Sequence, residues 1–137
     1  MDRLPDTTKA REIVSEYCRR YGISPSFEMS DIYHLTAENW LNPIPFTNNA
    51  GCYFFYAEDG ALLYVGKASD LAGRITSYFE SAPSFRPRHQ GWSMPPRYLQ
   101  TVKVHDPHEA PSLEEYLIHK LQPPDNKLGK SREGEAG

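Results

Sequence analysis

Apolar residues near the start of the chain recur at the spacing of one helix face. They are Ile13, Val14, Tyr17, Cys18 and Tyr21. Asp6 or Thr7 can cap this helix, and Gly22 can end it. The pattern predicts an amphipathic helix that packs on a core through its apolar face.

The following stretch, residues 23–49, is interrupted by Ser, Pro and Asn and keeps no sustained period. A short helical segment is expected at residues 37–41. We therefore predict that residues 1–50 form an N-terminal extension, helical at first, that wraps onto a core. The extension also offers a possible surface for a protein partner or for self-association.

Two runs of aromatic and aliphatic residues then predict a β-hairpin. Residues 51–56 and 61–66 flank a four-residue loop that contains a turn-forming Asp-Gly. Counting back along both strands places Tyr53 directly opposite Tyr64, so that two phenols share one face of the sheet. An aromatic pair that only stabilises the sheet is the simpler interpretation. Phenol hydroxyls beside a phosphate can nevertheless hydrogen-bond or relay a proton.

A second helix is predicted after the hairpin, with Ser69 as its cap and its end near Phe79. Its apolar stripe comprises Leu71, Ile75, Tyr78 and Phe79. Residues 80–96 follow as a loop that contains proline, serine and arginine.

A third strand is predicted at residues 97–104, and a last helix at residues 109–121, which two prolines stop. The polar residues 129–137 are expected to form a flexible tail. These elements predict an α/β (α+β) fold in which a small central three-stranded antiparallel sheet is flanked by helices. The core domain is placed at residues 51–128.

Length and composition are those of one globular domain, with 137 residues, 39% of them hydrophobic and 12% aromatic. No apolar run approaches the roughly 20 residues that span a bilayer, and the first ten residues do not read as a signal peptide. We expect a cytoplasmic protein without a membrane partner. Cys18 and Cys52 are expected to be free, buried thiols.

Charge is distributed unevenly along the chain, whose formal net charge is −3. Residues 1–50 carry five Lys/Arg against seven Asp/Glu, which makes direct DNA clamping by the extension the weaker role. Residues 64–104 carry six against two, a local net charge of +4. This surplus can meet a phosphate backbone, and a solvated basic surface is the alternative interpretation.

The last helix has an acidic residue among apolar ones. At about 100° per residue three leucines form a narrow stripe, Leu113, Leu117 and Leu121. Glu114 lies between Leu121 and Ile118 on that side, where a carboxylate is costly unless it is paired, hydrogen-bonded or bound to metal. Glu115 lies on the opposite face, either as the last residue of a capping box that begins at Ser112 or simply in solvent.

The remaining candidates are less specific. Arg74 beside the second helix stripe and the Gly66-Lys67 step at a strand end suit anion binding, although a surface lysine is a common alternative. The five histidines include no pair on one helical face, which disfavours a histidine-ligated metal. Trp40 and Trp92 are interpreted as core or lid packing, and Trp92 is also able to stack on an exposed base.

Several of these residues stand in a recognisable order. Gly51-Cys52-Tyr53 and Tyr64-Val65-Gly66 resemble the Gly-Ile-Tyr and Tyr-Ile-Gly of the GIY-YIG nuclease family. Further matches to that family's repair nucleases are Lys67-Ala68, Leu71, Arg74, Ser77-Tyr78-Phe79, Leu113-Glu114, Ile118, Gln122-Pro123 and Asn126. The resemblance is close to the nuclease domain of the bacterial nucleotide-excision repair incision subunit. It covers residues 51–126, and its register selects Glu114 over Glu115.

The resemblance implies a GIY-YIG fold and hydrolysis of DNA phosphodiester bonds by a one-metal mechanism. The residues that it implies as catalytic are Tyr53, Tyr64, Arg74, Glu114 and Asn126. The residues taken as substrate contacts are Gly66, Lys67, Tyr78, Arg86 and Arg88. Glu114 would hold Mg²⁺ or Mn²⁺, Arg74 would bind the scissile phosphate, Tyr64 or Tyr53 would act on the attacking water, and Asn126 would orient groups near the metal.

Two alternatives come from other functional classes. One is a nucleic-acid-binding module that keeps the fold without cleaving, and the other is a structural protein–protein module. The repair subunit has further domains, whereas this sequence ends soon after Asn126. We therefore expect a stand-alone nuclease domain that does not perform dual incision by itself.

Overall fold

The computed structural model describes residues 4–81, 84–88 and 91–126. In this part of the chain, three α-helices and a short 3₁₀ helix surround one mixed-length antiparallel sheet. The elements are α1 (Thr8–Arg20), β1 (Glu28–Met29), β2 (Tyr33–His34), the 3₁₀ helix (Asn39–Leu41), β3 (Gly51–Ala57), β4 (Leu62–Ala68), α2 (Leu71–Thr76), β5 (Pro96–Lys103) and α3 (Glu109–Leu121).

The sheet has five strands, in the order β1-β5-β3-β4, with β2 also paired to β5. The predicted α/β class with helices flanking an antiparallel sheet is confirmed, but the predicted strand number of three was too low. The two additional strands contain two residues each. A two-residue strand is too short to show an alternating pattern in the sequence. Both short strands belong to the N-terminal extension and pair with β5.

The hairpin register differs from the predicted one by two residues. Tyr53 pairs with Gly66, and Tyr64 pairs with Phe55. One residue of the difference arises at the loop, where Tyr56 pairs with Leu62 and not with Ala61, and the other arises from a β-bulge between Phe55 and Tyr56. The prediction that Tyr53 lies directly opposite Tyr64 was therefore wrong. Since side chains alternate with a period of two, a shift of two residues keeps both tyrosines on the same face.

The central strand β3 is buried along its whole length and separates two apolar clusters. Phe54 points into the cluster that α1 and α3 cover, together with Leu113 and Leu117. Phe55 points into the opposite cluster, together with Leu71 of α2. The sheet is thus covered on both faces, which explains the continuous apolar run of β3.

Helix α2 is shorter than predicted. It begins at Leu71 and ends at Thr76, and its N-cap residue is Asp70, not the predicted Ser69. The Asp70 side chain forms no capping hydrogen bond. Phe79 instead forms a β-bridge with Pro87, so that extended pairing replaces the last helical turn. All four residues of the predicted stripe are nevertheless buried: Leu71, Ile75, Tyr78 and Phe79.

The N-terminal helix packs directly on α3. Tyr17 donates a hydrogen bond of 2.8 Å to the Ser112 hydroxyl, and the Glu16 carboxylate lies 3.3 Å from Lys120 Nζ and accepts a hydrogen bond from Tyr116. Both cysteines are free and buried, as predicted. None of the helices within the described residues is long and apolar enough to cross a membrane.

Candidate active site

The candidate residues converge on β4, which ends the strand order on one side of the described sheet. Alternation along this strand directs Tyr64 and Gly66 to the face that α2 covers, and Val65 and Lys67 to the face of α3. Groups from both faces can therefore meet around a single strand edge. The predicted catalytic residues come from four different elements, β3, β4, α2 and α3, and from the segment after α3.

Three tyrosines form the centre of the α2 face. The Tyr53 and Tyr78 hydroxyl oxygens are 2.7 Å apart. The ring centroid of Tyr64 lies 6.3 Å from that of Tyr53 and 6.4 Å from that of Tyr78. Tyr53 is only 1% exposed, whereas Tyr64 is partly exposed. Tyr64 is thus the member of the predicted tyrosine pair that solvent or substrate can reach.

Burial also determines the charge state of these phenols. It raises the pKa of Tyr53 to about 12, despite the opposing hydrogen bond with Tyr78. Burial likewise raises the pKa of Tyr64 and of Tyr78 above the usual value. All three phenols are therefore neutral near pH 7, where each can donate one hydrogen bond and accept others.

Arg74 supplies a positive charge beside this cluster. Its guanidinium carbon lies 5.4 Å from the centroid of the Tyr78 ring. The hydrogen bond with Tyr53 raises the pKa of Arg74, so that the guanidinium stays protonated. The side chain is exposed at the end of α2. The guanidinium is thus exposed to solvent and hydrogen-bonded to the neutral phenol of Tyr53, an arrangement suited to binding an anion.

Glu114 approaches β4 from the opposite face. Its side chain is 21% exposed, and Oε1 lies 3.9 Å from Lys67 Nζ. The charge of Glu114 is close enough to contribute to the raised pKa of Tyr64. Glu115 is exposed. The helix spacing therefore identified the partly buried carboxylate, and α3 begins at Glu109, so a capping box starting at Ser112 does not form.

Whether these side chains could hold a divalent cation depends on the number of ligands that the ion needs from the protein. Within the described residues no group of three or more His, Cys, Asp and Glu side chains is placed to hold a metal. Mg²⁺ does not require such a cage, because it usually keeps several waters and binds one or two carboxylates together with phosphate oxygens. The partly exposed Glu114 carboxylate, near Lys67, is compatible with that mode of binding.

Gly66 and Asn126 act through the protein rather than towards solvent. A Cβ at position 66 would lie 2.2 Å from Cζ of Tyr53, so only glycine lets that ring pack across the hairpin. Asn126 is 5% exposed, accepts a hydrogen bond from the Val65 N–H and donates one to the Val65 carbonyl, both at 2.8 Å. The amide of Asn126 thus holds the outer edge of β4.

The two loop arginines differ in their relation to the site. The backbone N–H of Arg88 donates to the Tyr78 carbonyl at 2.8 Å, which keeps Arg88 next to the tyrosine cluster. Arg86 instead forms an ion pair of 2.9 Å with Glu80, and its side chain is 73% exposed. Arg86 therefore belongs to the loop surface, and its assignment as a substrate contact stays a prediction.

Two shallow clefts lie beside Lys67 and Arg74 and share Ala68 and Ser69. One has a volume of about 290 Å³ and is lined by Lys67, Ala68, Ser69, Pro107, Ala110 and Pro111. The other has a volume of about 400 Å³ and is lined by Ala68, Ser69, Asp70, Gly73, Arg74 and Ser77. Together they form an open groove, with Lys67 lining one cleft and Arg74 the other, and not an enclosed small-molecule pocket.

Two neighbouring residues were underestimated by the sequence analysis. Trp92 packs against the tyrosines, with ring centroids 5.8 Å from Tyr64 and 5.9 Å from Tyr78, so the interpretation as packing was right but its place at the site was not foreseen. Asp125 was not singled out, although it is buried and bonds to the Ser93 N–H. Its signal, an acidic residue directly before Asn126, has no meaning without the tertiary contact.

Comparison with known proteins identifies the same family from a domain profile and from individual relatives. The profile of the UvrC-like GIY-YIG domain matches residues 49–127, more than half of the chain. A UvrABC system protein C from Aliarcobacter butzleri is 34% identical over 90 residues, 59% of this chain and 14% of the relative. The protein of that name from Methanosarcina acetivorans is 40% identical over 80 residues, 58% of this chain and 15% of the relative. That from Methanospirillum hungatei is 41% identical over 83 residues, 61% of this chain and 15% of the relative.

Proposed function

Because the chain belongs to the UvrC-like GIY-YIG domain family, we propose that it is a divalent-metal-dependent endonuclease that hydrolyses DNA phosphodiester bonds. The observation that carries the proposal is the convergence of Arg74, Tyr64 and Glu114 on the edge of β4. Phosphoryl transfer needs a cation at the phosphate, an oriented water and a stabilised leaving oxygen. The chain supplies one residue suited to each need.

Arg74 binds the scissile phosphate. Its guanidinium is exposed and held at its base by Tyr53, so little side-chain reorganisation accompanies binding. The charge on the phosphate oxygens increases in the transition state, and a fixed cation stabilises that state more than the ground state. Lys67 supports the same phosphate from the other side of the groove.

Tyr64 orients the attacking water. Tyr53 holds Arg74 in place through its own hydroxyl, and it holds Tyr64 in place through Tyr78. This division of labour follows from exposure, because Tyr53 is buried and Tyr64 is not. A neutral phenol is a weak base, so Tyr64 acts as a hydrogen-bond partner of the water. The water oxygen forms a bond to phosphorus, and the bond from phosphorus to the leaving sugar oxygen breaks. The water releases a proton to solvent, and the sugar oxygen takes up a proton from solvent.

Glu114 is the residue that would hold Mg²⁺ or Mn²⁺. When bound, the ion supplies positive charge to a phosphate oxygen and to the leaving oxygen. Asn126 contributes by keeping β4 in place, since both polar ends of its amide are bonded to Val65. The groove formed by the two clefts, which share Ala68 and Ser69, provides the path for a DNA strand between Lys67 and Arg74.

Nicking of supercoiled plasmid in Mg²⁺ or Mn²⁺, compared with EDTA, tests the proposal. Glu114→Gln removes the charge of the carboxylate and should abolish metal-dependent nicking while the fold and DNA affinity are retained. Glu115→Gln is the matched control, because it makes the same change one residue away on the exposed face of α3. Equal activity in Glu114→Gln would refute the assignment.

The substrate panel extends this test. Duplex, single-stranded, branched and damaged DNA are each incubated with the wild-type chain and metal. DNA binding without metal-dependent cleavage on any of them would support the non-cleaving module instead. Absence of any nucleic-acid binding would leave the structural module.

A further inference from the structure

Trp92 forms one side of the tyrosine cluster. Its ring centroid lies 5.8 Å from Tyr64 and 5.9 Å from Tyr78, and 5.4 Å from the buried Phe55. Tyr64 is partly exposed, and the Tyr78 ring centroid lies 5.4 Å from the guanidinium carbon of Arg74. The position of the Trp92 ring therefore limits where these two rings can move.

The indole has no polar anchor of its own. Its Nε1 is buried, and the described residues offer it no hydrogen-bond acceptor. A buried N–H without an acceptor opposes this placement. Residues 91–95 also lie outside any helix or strand, so the regular backbone ladder does not hold them. The placement of Trp92 needs another source of order.

That source is the residue next to it. The Ser93 N–H donates to both carboxylate oxygens of Asp125, each at 3.3 Å. Asp125 is 7% exposed. The buried carboxylate accepts this backbone N–H in a charge-assisted hydrogen bond, which limits the positions that Ser93 and the adjoining Trp92 can take. The contact joins parts of the chain that are 32 residues apart.

The neighbour of Asp125 holds a second element. Asn126 binds the backbone N–H and carbonyl of Val65, next to Tyr64 in β4. Asp125 and Asn126 are consecutive, so the Trp92 segment and the strand that contains Tyr64 are hydrogen-bonded to the same short stretch of chain. This places Trp92 and Tyr64 in a fixed relation, although the two are far apart in sequence.

We propose that Asp125 is a positioning residue that holds Trp92 against Tyr64 and Tyr78 and thereby orders the hydroxyl groups beside the scissile phosphate. The effect on cleavage rests on the proposed nuclease function. The contact between Asp125 and the Trp92 segment does not, so it can be tested separately.

Fluorescence tests the contact in a Trp40→Phe background, where Trp92 is the remaining tryptophan. Asp125→Ala should shift Trp92 emission to the red and increase acrylamide quenching, because the indole leaves the aromatic cluster. Asp125→Asn should give a smaller change, since its amide oxygen still accepts the Ser93 N–H. Asp31→Ala, which removes the same charge at an exposed site, should give none.

Circular dichroism establishes that each variant is folded. A folded Asp125→Ala protein with unchanged emission and quenching would overturn the proposal. If Asp125→Ala does not fold, Ser93→Pro decides instead, because proline removes the N–H that Asp125 accepts. A folded Ser93→Pro protein with unchanged emission and quenching would overturn the proposal equally.

Kinetics test whether the residue acts through Trp92. Asp125→Ala should lower kcat about 10- to 100-fold with a smaller change in KM, because displaced groups affect the reacting geometry more than DNA binding. Trp92→Ala should have a similar effect, and the double variant should lose little more than either single variant. Multiplicative losses would overturn the proposal. A wild-type chain that never nicks DNA would refute the nuclease function, while the fluorescence result still decides the contact.

Discussion

Gly51 and Gly66 lie where other atoms approach the backbone too closely to leave space for a side chain. A Cβ at Gly51 would lie 1.9 Å from the Val102 carbonyl oxygen of β5, and a Cβ at Gly66 would lie 2.2 Å from the Tyr53 ring. Neither glycine has a positive φ, which among the glycines that the structure describes is found at Gly22 and Gly60. Gly66 thus serves the packing of Tyr53, and its role as a substrate contact stays a prediction.

Replacing Gly66 by Ala tests this account at the residue scale. The added methyl group has to displace the Tyr53 ring or the hairpin backbone, so we expect a loss of about 1–3 kcal/mol in unfolding free energy. Nicking should slow as well, because Tyr53 contacts both Tyr78 and Arg74. Urea unfolding measures the stability change.

The same substitution in a Tyr53→Ala background provides the control. Without the ring the methyl group has space, and the cost of Gly66→Ala should shrink. An equal cost in both backgrounds would show that Tyr53 is not the obstacle.

At the scale of elements, the edge strand β4 is completed by a side chain rather than by another strand. The Asn126 amide pairs with Val65 as a neighbouring peptide group would, and satisfies a donor and an acceptor that an edge strand leaves open. The strand so held carries Tyr64, Gly66 and Lys67. A residue at the end of the domain therefore controls the geometry of residues near its beginning.

Asn126→Ala should destabilise the protein by about 1–3 kcal/mol, because two buried hydrogen bonds to Val65 are lost. Amide hydrogen exchange should increase at Val65 more than at the central strand β3. Asn126→Asp is the informative partner variant: its carboxylate can accept the Val65 N–H but cannot donate to the carbonyl, so it should not restore full stability. Unchanged exchange at Val65 in the Ala variant would argue against the clamp.

For the molecule as a whole, burial on both faces of the sheet keeps phenols neutral. Burial raises the pKa of Tyr53 to about 12 on the α2 face, and it raises the pKa of Tyr56 on the face of α1 and α3. The folded chain therefore retains protons that the unfolded chain releases above about pH 10. The stability contributed by this difference is fully present below that pH.

Unfolding free energy should consequently fall as the pH rises from about 10 to about 12. Tyr53→Phe should reduce the slope in that window by up to about 1.4 kcal/mol per pH unit, the value for one proton. Urea titrations across the window measure it. Tyr21→Phe, at a tyrosine that is 55% exposed, is the control and should leave the slope unchanged. A slope that Tyr53→Phe does not alter would contradict the burial argument.

The longer elements were predictable because their patterns are local. The apolar spacing of α1 and α3 and the continuous runs of β3 and β4 extend over enough residues to define a period. Helix spacing alone distinguished Glu114 from Glu115. The short strands β1 and β2 were not predictable, because two residues define no period and β5 supplies the pairing from a distant part of the chain.

The sequence by itself determined the order of the elements, the face on which each candidate side chain lies, and the candidate nuclease residues through their motif order. Only the tertiary structure decided the hairpin register, where the pairing at the loop and a β-bulge together changed the partner of Tyr53 from Tyr64 to Gly66. It also decided what the polar residues bond to, since Asn126 and Val65 are 61 residues apart. Periodicity is a property of neighbours in the chain, whereas these contacts depend on how the ends of separate elements meet in space.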